Sequence, residues 1–515
     1  MDRTDRTDRT HSTGSTDSTD TSVIVVGAGP AGLMLAGELR LAGVDVTVLE
    51  RLERPTGQSR GIGFTVRTME IFDQRGLLPR FGTVETSTAG HFGGLPLDLT
   101  ILGAAHEAAR TVPQSRTEAV LEAWARDLGA DIRRGREVTS LTEDADGVSV
   151  TVAGTDRPLR GHYVVGCDGG RSTVRKLTGF DFPGTPATTE LFVADLRGVD
   201  LAPKMTADPS AGGLVMVAPL PDGSTRIIAA ERGAPPVRRT GPPEFSEVAD
   251  LFKRLTDVDI SGARPVWLSA FTDAARQVTE YRRGRVLLSG DAAHIHLPAG
   301  GQGMNTSLQD SVNLGWKLAS VVRGTAPETL LDSYHEERHE VGRRLLLNTR
   351  AQSLLILGGE DVAPLRTVLG GLLDIDEVAR RLAERAAGLD IRYDVGGGRH
   401  PLLGARLPEL ALHDGRRSTT TTALLRPGRG LLLDLDDSAG LRRRAQPWGH
   451  RIDIVTATTG DLPDSGAPSG TTGLLVRPDG HVAWAAPGSH HDLPMALTRW
   501  FGPARAAEPA RATAA

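Results

Sequence analysis

A chain of 515 residues holds about three domains at ~150 residues each and can bury several cores without covalent staples. Its 59 Lys+Arg against 64 Asp+Glu leave a formal charge of −5, which removes the bulk electrostatic case for nucleic acid or an anionic membrane. One cysteine, Cys167, excludes an intramolecular disulfide, a Cys-x-x-Cys redox pair and a cysteine-rich metal site.

Residues 1–21 repeat Asp-Arg-Thr and run on through Ser, Thr, Asp and Gly with no apolar core. They are expected to be a disordered tail, neither signal peptide nor membrane anchor, and the chain reads as a cytoplasmic enzyme. Val23 to Val26 reads as a strand that runs into Gly27-Ala28-Gly29-Pro30-Ala31-Gly32. A helix follows to Leu41, closed by Gly43, and Val44, Val46 and Val48 alternate into Glu50. Thr117 to Leu128 is a further helical pattern, with a strand near Val138 and a hairpin-like segment from Gly147 to Val152. Tyr163 to Gly166 is a buried strand ending at Asp168.

From about Phe180 to Phe271 the texture changes to strands and Pro/Gly turns, with one hairpin pairing Leu214–Pro219 and Arg226–Glu231. A parallel-sheet strand returns at Val286 to Ser289, before Gly290-Asp291. Thr306 to Val322 reads as a helix with Leu308, Val312, Gly315, Trp316, Ala319 and Val322 on one face, started by a Thr306/Gln309 capping box. Helices run to about Leu389, and Gly396 to Gly398 links to a final domain whose strands are Gly430–Leu435, Ile452–Val455, Gly473–Arg477 and His481–Ala485. The expected division is a discontinuous cofactor domain (22–180 and 272–390), an antiparallel substrate domain (181–271), a last domain (399–502) and a loose tail (503–515).

The first glycine motif has the physics of a dinucleotide grip. Gly27 makes the tight turn, Gly29 admits the pyrophosphate, Gly32 lets helix and strand pack closely, and the helix N-terminus faces the phosphates. Glu50 can accept the adenosine ribose hydroxyls and would repel a 2′-phosphate, which argues against NADP at this position. Cys167-Asp168-Gly169-Gly170-Arg171-Ser172 and Gly290-Asp291-Ala292-Ala293-His294 each put a carboxylate at the carboxyl end of a strand, where cofactors bind in open α/β sheets. Leu297-Pro298-Ala299-Gly300-Gly301-Gln302-Gly303-Met304-Asn305 is glycine-rich backbone able to lie flat against a ring system, and the helix end after it favours anionic reduced flavin.

On these stretches, with Ser59-Arg60-Gly61, Val112 to Ser115 and Gly488 to Leu497, the sequence resembles the para-hydroxybenzoate-hydroxylase-like FAD monooxygenases. Within them it is most similar to aromatic polyketide hydroxylases, the angucycline C-12 hydroxylases. The resemblance implies an α/β fold: a Rossmann-like FAD-binding domain, an inserted antiparallel-sheet substrate domain and a thioredoxin-like C-terminal domain. That last domain lacks Cys-x-x-Cys and cannot exchange disulfides. The resemblance also implies that Glu50 and Arg51 hold adenosine, Arg60 and Gln114 the ribityl-diphosphate, and Asp291 the ribityl hydroxyls. Pro298, Gly301, Gly303, Met304 and Asn305 belong to the loop at the isoalloxazine, and Asp168 to a motif tied to FAD and NADPH together.

The implied chemistry is hydroxylation of a polycyclic, angucycline-type polyketide in antibiotic biosynthesis. FAD is held non-covalently, NADPH or NADH reduces it, and O2 reacts through a flavin C4a-hydroperoxide. His91, His294, His296 and Tyr281 are candidates by residue type alone for a ring-deprotonating base, and a structural role is the preferred reading of each. A homodimer is compatible with the resemblance, and no residue specifies one.

Rival readings stay open. A Baeyer–Villiger oxygenase or flavin reductase shares the scaffold, and FAD could serve a non-enzymatic redox sensor. Halogenases of this fold are expected to carry Trp-x-Trp, whereas Trp124, Trp267, Trp316, Trp448, Trp484 and Trp500 never fall two apart. His335-Glu336-Glu337-Arg338-His339 matches His-Glu-x-x-His, but a solvated charged helix is the preferred reading and no metal is expected. His490-His491 reads as surface, and Cys167 as a small buried hydrophobe.

Overall fold

The structure, a computed structural model, describes residues 19–505 apart from 62, 104–106, 111, 205–211, 221, 414, 416 and 460–467. Most of the expected N-terminal tail (1–18) and of the C-terminal one (506–515) thus lies outside the described residues.

The opening strand–helix–strand unit forms as Thr21–Val26, Pro30–Leu41 and Val46–Glu50. Pro30 fills the first helical position, where a missing N–H costs nothing. The main sheet runs Asp131–Arg134, Val46–Glu50, Thr21–Val26, Leu159–Gly166, Val286–Leu288, every neighbouring pair parallel. Arg282–Arg283 closes the far edge antiparallel, and the hairpin of Val138–Glu143 with Val148–Val152 joins through Leu159 to Gly161. Val46 to Leu49 are buried without alternation, because the strand is covered on both faces.

The middle block is a four-stranded antiparallel sheet ordered Gly213–Pro219, Thr225–Glu231, Glu190–Arg197, Arg264–Thr272. Its expected hairpin is present, with Leu214 opposite Ala230. A helix that the sequence reading did not anticipate, Phe245–Thr256, packs Val248 and Phe252 against Ala194, Leu196, Val215 and Ile227 on one face. The other face belongs to the site described below.

The long internal helix runs Gln302–Val322, and the expected capping box is a correction. Gly300 and Gly301 both take positive φ, which starts the helix four residues earlier and leaves Thr306 inside it. Nearly every side chain from Gln302 to Ala319 is buried, so this helix is a central spoke rather than a one-faced surface helix.

In the C-terminal domain Gly430–Asp434 pairs parallel with Ile452–Thr456 and antiparallel with Gly473–Val476, which pairs with Val482–Ala486. Helices Ala439–Ala445 and Leu493–Phe501 complete a thioredoxin-type arrangement. Its core of Leu431, Leu433, Leu474, Trp484, Leu497 and Trp500 continues into Trp316 and Leu330 of the cofactor domain. The two domains therefore share one apolar core. Among the described residues no helix is long and apolar enough to cross a membrane.

Candidate cofactor and substrate site

The glycine turn has the backbone geometry its spacing suggests. Gly27 has φ +107°, and a Cβ there would meet the Cys167 carbonyl oxygen at 2.5 Å. A Cβ on Gly32 would fall 2.0 Å from the Gly27 carbonyl oxygen, so only glycine lets this helix sit against its strand. Gly29 is different: nothing lies within 4 Å of its Cβ position. The backbone there faces open space at a helix N-terminus, which is what a pyrophosphate needs. Ala28 and Ala31 are buried beside it.

Glu50 ends the second strand with its carboxylate already oriented. Oε2 accepts the Ala28 N–H at 2.8 Å and Oε1 the Leu52 N–H at 2.9 Å. Two donors leave the remaining lone pairs for ribose hydroxyls. Arg51 and Arg60 are exposed, and Gln114 is tied to the Arg60 segment, where its Oε1 accepts the Gly61 N–H at 3.3 Å. The Met304 methyl lies 3.4 Å from the Cβ position of Gly61, so the Arg60–Gln114 corner meets the start of the long helix.

Asp168 follows Cys167 at the end of the central strand. Its Oδ2 accepts the N–H groups of Thr173 (2.6 Å) and Val174 (3.1 Å), fixing the short Thr173–Leu177 helix, while its buried Oδ1 is left without a partner. A buried unpaired carboxylate oxygen is costly, and a ligand hydroxyl would satisfy it. Asp291 is exposed in the turn after Val286–Leu288. The Ser311 hydroxyl, bonded to the Ala31 carbonyl at 2.8 Å, holds the long helix against the first one, so the glycine turn and the Asp291 turn share one edge of the sheet.

Asn305 fastens the ring loop. Its Nδ2 donates to the Gly301 carbonyl at 2.8 Å, and its Oδ1 accepts the Thr65 N–H at 2.9 Å. The helix N-terminus at Gly301 to Asn305 thus opens onto this loop, with Pro298 exposed at its start. Gln352, which sequence reasoning did not single out, supports the loop from behind. Its Oε1 accepts the Gly93 N–H at 3.1 Å and lies 3.2 Å from the Cβ position of Gly300.

The second face of the middle sheet packs on this loop. Leu191, Leu214 and Ala230 pack with Leu297 and Ala299, flanked by Met216, Ile228, Phe271, Ile356 and Leu357. This cluster is closed, and only Met216, Ile228 and Phe271 at its margin stay partly exposed, an apolar surface of the sheet beside the loop.

The four candidate bases separate cleanly. Tyr281 is wholly buried among Tyr334, His335 and His339, and burial drives its phenol far above its ordinary value. His294 is also buried, with Nε2 2.8 Å from Asp310 Oδ2. Neither is accessible to a substrate. His91 is exposed on the Ala89–Phe92 strand. His296 stands at the ring loop: Nδ1 donates to the Leu297 carbonyl at 2.6 Å, and Nε2 lies 3.3 Å from the Cβ position of Gly303. Burial lowers its pKa and keeps it neutral.

The His-Glu-x-x-His segment is not a solvated helix face. Glu337 and Arg338 are buried because counter-charges await them from the long helix and the C-terminal domain. His335 Nδ1 accepts the Tyr281 N–H at 3.3 Å, and among the described residues no side-chain group is arranged to hold a metal. Cys167 is buried, as expected, and burial pushes its thiol up. His490 and His491 are exposed.

An open glycine turn, two carboxylates at strand ends and a glycine loop before a helix N-terminus define an FAD-binding oxidoreductase. The comparisons agree. Residues 20–349 match the family described as "FAD binding domain", and residues 400–504 match "Aromatic-ring hydroxylase, C-terminal". The chain is 43% identical over 491 residues to the rifampicin monooxygenase of Streptomyces venezuelae, covering 94% of this chain and 99% of that one. Two solved structures cover 95% of this chain and the whole of theirs: BexE, studied for oxidation in BE-7585A biosynthesis (66% identity, TM-score 0.91), and CabE, an aromatic hydroxylase from angucycline biosynthesis (61%, 0.92). The chain belongs to the FAD-binding monooxygenase family of aromatic-ring hydroxylases.

Asp291 gives a direct check on the cradle. Asp291→Ala is expected to weaken FAD binding by about 1.5–3 kcal/mol, the worth of a charge-assisted hydrogen bond. Equilibrium titration of the apoprotein with FAD measures it, and an unchanged affinity removes Asp291 from the site.

Proposed function

We propose that the protein is an FAD-dependent, NAD(P)H-consuming hydroxylase of a polycyclic, angucycline-type aromatic polyketide in antibiotic biosynthesis. The observation that carries this reading is the apolar wall of Met216, Ile228 and Phe271, partly exposed beside the Leu297–Ala299 loop. The 61% identity to an angucycline-pathway hydroxylase supports the substrate class.

When bound, FAD supplies hydride acceptance from the nicotinamide and activation of dioxygen. The chain's own part is binding, orientation and exclusion of water. Gly29 and the first helix hold the pyrophosphate, and Glu50 and Arg51 the adenosine. Arg60 and Gln114 hold the ribityl-diphosphate, Asp291 meets the ribityl hydroxyls, Asp168 belongs to the motif that serves FAD and NADPH together, and Gly303 to Asn305 border the ring system. The helix N-terminus at Gly301 stabilises negative charge there. The apolar wall keeps water from the reacting oxygen and holds the substrate plane. Neutral His296, with Nδ1–H committed to Leu297, sets Nε2 beside Gly303 and so braces the loop at the start of the long helix.

A polyketide phenol added to enzyme, NAD(P)H and oxygen is expected to accelerate nicotinamide oxidation well above the substrate-free rate. A rate unmoved by any of a panel of angucyclinone phenols would contradict this substrate class.

A further inference from the structure

The C-terminal domain has no cysteine with which to carry electrons, yet it shares a core with the cofactor domain and contributes to a buried polar chain. Arg477, Asp479 and His481 of that domain are buried, as is Tyr393 in the segment leading into it. The Tyr393 ring lies 4.4 Å from the His481 ring and 5.1 Å from the Arg477 guanidinium. Its hydroxyl accepts from Arg338 Nη1 at 2.8 Å. Arg338 in turn donates through Nε to Asp310 Oδ1 at 2.6 Å and through Nη2 to the Thr306 carbonyl at 3.3 Å. Asp310 Oδ2 receives the Gly290 N–H at 3.2 Å and His294 Nε2 at 2.8 Å. Gly290 is the residue before Asp291, and Thr306 lies in the first turns of the helix that borders the flavin ring.

Arg338, Asp310 and His294 are all at most 1% exposed. Burial raises Asp310, but Arg338 and His294 beside it bring the carboxyl below its ordinary value, so it stays an anion able to hold three donors. An anion with three partners on three different elements fixes those elements relative to one another. Sequence separation hides this: Gly290, Asp310, Arg338 and Tyr393 come from a turn, two helices and an interdomain segment.

We propose that Tyr393, Arg338 and Asp310 are positioning residues through which docking of the C-terminal domain sets the geometry of the Gly290–Asp291 turn, and so the affinity for FAD. The inference rests on the FAD-binding assignment and gives the cysteine-free domain a part in holding the cofactor. The chain acts through Gly290 and Thr306; none of its members touches the flavin.

Tyr393→Phe deletes one hydroxyl and keeps the ring against His481 and Arg477. Full-length apoprotein of wild type and variant is titrated with FAD, and apoprotein melting is recorded alongside. Wild type binding FAD in a one-to-one ratio secures the cofactor assignment independently of the outcome. The FAD dissociation constant of Tyr393→Phe is expected to rise about three- to tenfold, since a hydrogen bond to a charged group is lost upstream of the turn. Trp448→Phe serves as control: it deletes the indole bond to the Gly502 carbonyl inside the C-terminal domain and leaves the relay untouched. It is expected to lower melting without moving FAD affinity. Asp310→Asn combined with Tyr393→Phe is expected to cost less than the two separately, as members of one network do. An unchanged dissociation constant in Tyr393→Phe overturns the proposal. So does a matching loss in Trp448→Phe, because affinity would then follow domain stability and not the relay.

Discussion

Gly29→Ala is expected to reduce FAD affinity at least about a hundredfold, or about 2.8 kcal/mol, while leaving the melting temperature of the apoprotein unchanged. Gly29 has φ −83° and ψ −177°, which alanine adopts freely, and a Cβ there meets no protein atom within 4 Å. The added methyl would point into the space where the backbone must approach a pyrophosphate. Gly32→Ala should behave in the opposite way. Its Cβ would sit 2.0 Å from the Gly27 carbonyl oxygen, so the helix must shift and the apoprotein itself loses about 1–3 kcal/mol or more. Calorimetry of both apoproteins with FAD titrations separates the two. Wild-type affinity in Gly29→Ala would refute the phosphate assignment of this turn.

The second large effect lies at the domain junction. Glu337 accepts from Lys317 at 2.7 Å and from Arg477 at 2.5 and 2.9 Å, and Arg477 also pairs with Asp479. All four side chains are buried, with the Arg477 guanidinium beside the rings of Trp316 and Trp500. Two cations and two anions balance. Arg477→Met removes one cation and strands a buried negative charge, which costs about 3–5 kcal/mol. Replacing Glu337 and Arg477 together by methionine should cost less than the sum of the single changes, because no charge is left over.

The same cluster sets an acid limit. Burial alone would raise Glu337, but Arg477 and Lys317 hold its pKa down to about 2, below its ordinary 4.5. A depressed carboxylate contributes stability that is complete above the ordinary pKa and is lost as pH falls through the folded one. The shift corresponds to roughly 3 kcal/mol. Asp479, held well below its ordinary value against the opposing effect of burial, adds in the same sense. Lys317 runs the other way: burial lowers it to about 8, so its charge is a cost that Glu337 offsets. The junction is therefore expected to loosen between about pH 4.5 and 2, reported by the fluorescence of Trp316 and Trp500. A transition of equal size and midpoint in the Glu337/Arg477 double variant would show that other groups set it.

What could be read from the chain was local. Gly27, Gly29 and Gly32 act through the backbone of one turn, so their spacing carries their function. The strands at Val23, Tyr163 and Val286 are short apolar runs in a sheet buried on both faces, a signal visible one strand at a time. Asp131–Arg134 escaped notice because an edge strand needs only Ile132 buried and keeps Asp131 and Arg133 in solvent. Phe245–Thr256 escaped because its cap is Glu244 with Glu247 reaching back, and glutamate is not a usual first-cap residue. The Thr306 capping pattern misled because two consecutive glycines in left-handed geometry gave the helix an earlier start. Glu337 and Arg338 looked like surface charge, since nothing near them in sequence announces Arg477, Asp310 or Tyr393. Ion pairs spanning 140 residues are properties of the packed molecule.

The central claim, oxygenation of an aromatic ring, is tested most directly by the origin of the product oxygen. Turnover of an angucyclinone phenol under isotopically heavy dioxygen is expected to give a product with one heavy oxygen, and turnover in heavy water under ordinary dioxygen none. Samples are read at the earliest time points, because quinone carbonyls exchange with water. Product carrying water-derived oxygen at those times, with activity abolished by a chelator, would contradict the monooxygenase account.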